Sequence, residues 1–103
     1  MKTIFEGEKR NIAAKVRRTD GSTAAITLTS PQRRILNANK AVVSGFDWGG
    51  ATWDSATNKI LALFDSTAAG LTSVGTYFVQ LRGVIGNELY GAQVTVNVKE
   101  WGP

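Results

Sequence analysis

Apolar residues in this chain recur at every second position over short runs, and turn-forming residues interrupt those runs about every ten positions, the pattern of half-buried strands. The clearest run puts Ala92, Val94, Val96 and Val98 on one face and Gln93, Thr95, Asn97 and Lys99 on the other. Before it, Tyr77, Val79, Leu81 and Ile85 alternate with Phe78, Gln80, Arg82 and Val84, and Gly86-Asn87-Glu88 has the chemistry of a hairpin link. A second hairpin is expected from Ile12, Ala14 and Val16 through Asp20-Gly21 into Ala24, Ile26 and Leu28. Pro31, which has no N–H for a ladder, is expected to end that strand, with a short strand over residues 33–36 and apolar Ala41, Val42 and Val43 before the break at Gly45. A third hairpin joins Thr52-Trp53 to residues 59–64, where Ile60, Ala62 and Phe64 share a face. Residues 66–71 read as one helical turn, with Asp65 or Ser66 as cap and Gly70 as stop. Seven or eight short strands with almost no helix predict an all-β domain, a two-sheet sandwich or a small barrel.

The 103 residues suffice for one domain, 1–103, in which residues 1–10 form an edge strand or a mobile arm. Chemistry is limited more by what is missing. The chain has no Cys and no His. That removes disulfides, thiolate nucleophiles, imidazole bases and the common zinc ligand sets, so the sequence predicts neither an enzyme nor a cofactor or metal protein. With 43% hydrophobic residues the domain must hold together by packing alone. Met1 to Phe5 are followed at once by Glu6, Glu8, Lys9 and Arg10, so no apolar signal region is expected, and every candidate membrane span is interrupted by polar residues. The expectation is a protein made in the cytoplasm, with no membrane contact.

Charge is uneven. Of 12 basic and 8 acidic residues, positions 1–40 hold nine and three, leaving three and five for the rest, so the net +4 is +6 minus 2. Arg17-Arg18 and Arg33-Arg34 would form a basic stripe on neighbouring strands, but successive side chains alternate faces, so one member of each pair can contribute. Arg17 and Arg33 are the candidates. No aromatic residue interleaves with this basic set in the sequence, which argues against nucleic-acid binding. Trp48 and Trp53 flank Gly49-Gly50 and offer two readings: a platform for a protein or a sugar, or one indole plugging the core, more naturally Trp53, while the other caps it. Asp47, Asp54 and Asp65 are too scattered for a calcium loop and suit turns and caps. Gly75, two residues before Tyr77 at the start of a strand, has the spacing of a tyrosine corner, in which the phenol bonds to backbone upstream.

Taken together, Thr52-Trp53-Asp54-Ser55-Ala56-Thr57, Ala62-Leu63-Phe64-Asp65-Ser66, Gly75-Thr76-Tyr77, Val84-Ile85-Gly86 and Val94-Thr95-Val96-Asn97-Val98 resemble small immunoglobulin-like domains of tailed-phage and prophage structural proteins, including tail, baseplate and head-tail components. Gly75-Thr76-Tyr77 after Leu71 also resembles fibronectin type III domains. The chain departs from antibody-type domains in lacking a Cys pair, and from fibronectin modules in having Val74 where Pro is usual. The resemblance covers about half the chain and implies a single immunoglobulin-like antiparallel β-sandwich. It further implies a virion component that assembles with itself or with other virion proteins. Carbohydrate or nucleic-acid binding by a small β domain is the alternative.

Overall fold

The computed structural model describes residues 2–16 and 27–100. Eight strands follow in chain order: β1 (Lys2–Phe5), β2 (Lys9–Lys15), β3 (Thr29–Leu36), β4 (Gly49–Gly50), β5 (Thr52–Asp54), β6 (Lys59–Asp65), β7 (Gly75–Ile85) and β8 (Glu88–Lys99). They form two sheets, one ordered β1-β8-β7-β3-β4 and the other β2-β6-β5. No helix occurs among the described residues, so none is long and apolar enough to cross a membrane.

The alternation decides what is buried. Tyr77, Val79 and Leu81 of β7 and Val96 and Val98 of β8 point inward, where they meet Ile12 of β2 and Ile60, Ala62 and Phe64 of β6. One hydrophobic core therefore lies between the sheets, with Ile4, Ile35 and Leu71 closing it. Phe64 packs edge-on against Tyr77, ring centroids 5.5 Å apart. Gly75 opens β7 at a φ of 147°, which side chains with a Cβ rarely adopt, and the Tyr77 hydroxyl then donates to the Ser73 carbonyl at 2.9 Å. Burial raises the Tyr77 pKa, against the opposing effect of that bond.

Two hairpins lie where the turn residues put them. β7 and β8 pair in one continuous register from Gly75↔Val98 to Ile85↔Glu88, and β5 and β6 pair through Trp53↔Ile60. Elsewhere the structure differs from the sequence reading. Most of the expected hairpin around Asp20-Gly21, including Arg17 and Arg18, lies outside the described residues. β2 pairs instead with β6, and by Thr29 the chain has entered the other sheet against Val84. Pro31 does not end a strand: it sits inside β3 at a register shift between Thr29 and Gln32, with Ser30 at a φ of 53°. The bulge spares the ladder the N–H that Pro lacks, while the Pro31 carbonyl accepts from Ala51 N–H at 3.0 Å. Val42 makes only an isolated bridge to Leu36.

The expected helical turn at 66–71 is a non-helical corner. Its backbone bonds, Ala68 N–H to Asp65 O and Leu71 N–H to Ala68 O, span three residues, and Ser66 is pinned to Glu8 O by both its N–H and its hydroxyl, each at 3.0 Å. Fully buried Leu71 ends the corner in the core. Residues 2–5 form an edge strand, and its pairing with β8 is parallel, so the five-stranded sheet is not wholly antiparallel.

Candidate interaction surface

Inward burial of Tyr77, Val79 and Leu81 sends Phe78, Gln80 and Arg82 to the outer face of the five-stranded sheet. On β3, fully buried Ile35 leaves Gln32 and Arg34 facing outward. Register then sets neighbours: Arg34 lies opposite Gln80, which lies opposite Gln93, and Gln32 lies opposite Arg82, which lies opposite Gly91. Arg34 donates from Nε and Nη2 to Gln80 Oε1 at 2.9 and 2.6 Å, and Gln80 Nε2 donates to Gln93 Oε1 at 3.1 Å. Arg82 Nε donates to Gln32 Oε1 at 2.8 Å. The two guanidiniums are diagonal neighbours, and the Trp48 indole lies across both, its centroid 3.7 Å from the Arg82 guanidinium carbon and 4.6 Å from that of Arg34.

Trp48 is held there from below. Arg33 Nη1 donates to the Asp47 carbonyl at 2.7 Å, its guanidinium carbon lies 5.2 Å from the Phe46 ring centroid, and Asp47 Oδ1 accepts the Trp48 N–H at 2.8 Å. A Cβ on Gly49 would come within 2.9 Å of Arg33 Nη1, so the glycine leaves room for this brace. Lys40 Nζ, 5.7 Å from the Phe78 ring centroid, adds a further cation beside an aromatic. Beside the cluster, Arg34, Trp48, Gln80, Arg82, Leu89 and Gln93 border a shallow hollow of about 460 Å³ with Gly91 and Ala92 also lining it. Leu89 is 66% exposed, the most exposed large apolar side chain among the described residues.

The residues singled out in the sequence do not all meet. Trp48 is on this outer face, whereas half-buried Trp53 lies on the other sheet opposite Ile60 and packs against the core. Arg33 braces the loop carrying Trp48, and Arg17 lies outside the described residues. The surface is formed instead by Arg34 and Arg82. The alternation of β7 marks Arg82 as outward-facing. Arg34 was obscured because both Ile35 and Leu36 are apolar and both are buried, so the inward parity of β3 cannot be read from that pair.

Acidic residues lie elsewhere and serve turns. Asp54 accepts from Ala56 N–H and from the Thr57 hydroxyl, and Asp65 from the N–H and hydroxyl of Thr67. The hydroxyl bonds of Thr57 and Thr67 come first among the causes that hold the two carboxyls below their ordinary pKa. Glu8 is lowered chiefly by the Phe5 N–H and next by Arg10, to which it is bonded at 2.9 Å. The ion pairs among the described residues are Arg10–Glu8 and Lys9–Asp65, so among those residues Arg33, Arg34 and Arg82 meet neutral acceptors and aromatic rings. Among the same residues no three acidic side chains gather in a metal-binding group. Comparison with protein-family models, with curated proteins and with solved structures finds no match for this chain.

Proposed function

We propose that this chain is a non-enzymatic structural and protein-interaction module with an immunoglobulin-like fold, a component of a tailed-phage or prophage particle that joins copies of itself or other virion proteins. The observation that carries the interaction reading is the outer face of the five-stranded sheet. A half-buried Trp braced among three Arg side chains, next to an exposed Leu, has the composition that protein interfaces concentrate at their centres.

Strand order supports the immunoglobulin-like part. In that fold the second, fourth and fifth strands of the basic set share one sheet, and the third, sixth and seventh share the other, where an additional strand can flank the third. Taking β2 as the second strand makes β2-β6-β5 the first of these sheets and β4-β3-β7-β8 the second, with β1 beside the last strand. The Tyr77 bond to Ser73, at the corner where β6 passes to β7, agrees with it. The particle context rests on the sequence resemblance over residues 53–98. It implies cytoplasmic synthesis followed by incorporation into the virion.

The free edges of the five-stranded sheet are short, four residues at β1 and two at β4, which limits edge-to-edge pairing there and leaves its broad outer face as the larger assembly surface of that sheet. Sedimentation velocity and light scattering of the pure protein, alone and mixed with products of neighbouring genes, test the reading. A discrete homo-oligomer or a stable complex is expected. A strict monomer that ignores every such product would overturn it.

A further inference from the structure

We propose that the cluster of Arg34, Arg82 and Trp48 is a docking surface for an acidic protein segment, an extended stretch that offers carboxylates to the two guanidiniums and an apolar side chain to Leu89. This deepens the interaction reading above and rests on it for the premise that the partner is a protein.

Hydrogen-bond accounting points to carboxylates. A guanidinium carries five N–H donors. Arg34 uses two on Gln80 and Arg82 uses one on Gln32, leaving three and four without an acceptor among the described residues. Their acceptors among the described residues are neutral amides, so an arriving carboxylate displaces no ion pair of those residues, and a planar fork can take it through two bonds. The forks are also stiff, since the Gln side chains fix one edge and the indole covers a face. Part of their ordering is therefore in place before a partner arrives, which lowers the entropic cost of binding.

The neighbourhood suits a peptide. Gly91 and Ala92 keep the hollow open beside the cations, Gln80 and Gln93 can exchange hydrogen bonds with a peptide backbone, and Leu89 supplies apolar contact at its margin. Nucleic acid fits less well. Among the described residues two guanidiniums converge here, because Arg33 is committed to the Asp47 carbonyl and Phe46, and a face of Trp48 on which a base would stack is taken by Arg82.

Fluorescence anisotropy tests this with three labelled probes: a ten-residue peptide alternating Glu and Leu, the same peptide with Gln for Glu, and a single-stranded oligonucleotide of equal length. The Glu peptide should bind at least about tenfold more tightly than the Gln peptide, an arm that needs no variant. Arg34→Gln and Arg82→Gln should each weaken it about tenfold, with Arg→Lys recovering only part, while Lys99→Gln, which removes a charge far from the cluster, changes it less than about twofold. Equal affinity for the Glu and Gln peptides, no measurable binding of either, or tighter binding of the oligonucleotide would each overturn the proposal. Failure of the broader reading is separately visible. Virion-protein complexes that form unchanged with Arg34→Gln and Arg82→Gln overturn this surface alone; Glu-peptide binding without any virion complex leaves it standing and removes the particle context.

Discussion

Tyr77 joins core and corner. Its ring is buried edge-on against Phe64, while its hydroxyl satisfies the Ser73 carbonyl at the turn into β7. Removing the hydroxyl keeps the packing and deletes one neutral hydrogen bond, so Tyr77→Phe should cost about 0.5–1.5 kcal/mol in urea unfolding with an unchanged denaturant slope. A loss near the 3–5 kcal/mol typical of deleting a core aromatic would mean that the bond does more than hold the corner. The Gly-x-Tyr spacing made this residue conspicuous in the sequence because its donor, acceptor and turn lie within a few positions of one another. Trp48 was conspicuous too, but its neighbours were not. Arg34 and Arg82 come from strands far apart in the chain, and Arg33 and Arg34 exchange roles with a one-residue change of parity that only the neighbouring bulge and the burial of Ile35 decide.

Strands that carry both their alternation and their turn were legible as elements. β7 and β8 meet through Gly86 and Asn87, and β5 and β6 through residues 55–58, so local sequence determines the pairing. β4 consists of two glycines and has no pattern to read; its place beside β3 follows from the Arg33 brace and the Ala51 bond to Pro31. β1 alternates too briefly to reveal that its partner is β8, at the far end of the chain. Close approach also fixes the course of β7. An added Cβ at Gly83 would overlap the buried side chain of Leu28, its Cγ at 2.7 Å, so Leu28 can pack only across a bare backbone. Gly83→Ala should therefore destabilise the domain by about 1–3 kcal/mol, the usual cost of overpacking, and Leu28→Ala in the same chain should return part of it. Independent, additive losses in the double variant would contradict this account of the contact.

For the molecule as a whole, the absence of Cys leaves packing and turn bonds to hold two sheets together, and the acidic residues of those turns make stability depend on pH. Glu8, Asp54 and Asp65 have folded-state pKa values below their ordinary ones of 4.5, 3.8 and 3.8. Below those values the unfolded chain takes up protons that the folded chain still refuses. The stabilisation from the three is present above about pH 4.5 and falls away as pH drops through the depressed folded values. Tyr77 acts at the other limit: its raised pKa keeps the phenol neutral in the fold, so its contribution is intact below its ordinary 10.0 and is lost as pH rises beyond that. Thermal melts from pH 6 to pH 3 should show a falling midpoint, less steep when Asp54 and Asp65 are both replaced by Asn. A slope unaffected by those replacements would place the acid sensitivity elsewhere.

The two outer faces of the sandwich also give the interaction claim its own control. Leu89 is 66% exposed on the five-stranded sheet, and Leu63 is 53% exposed on the three-stranded one. Hydroxyl-radical footprinting, read by mass spectrometry on the free protein and on its assembled form, compares them in one sample. Leu89 and Trp48 should lose reactivity on assembly while Leu63 keeps it; protection of Leu63 with Leu89 and Trp48 unchanged would place the interface on the three-stranded sheet instead.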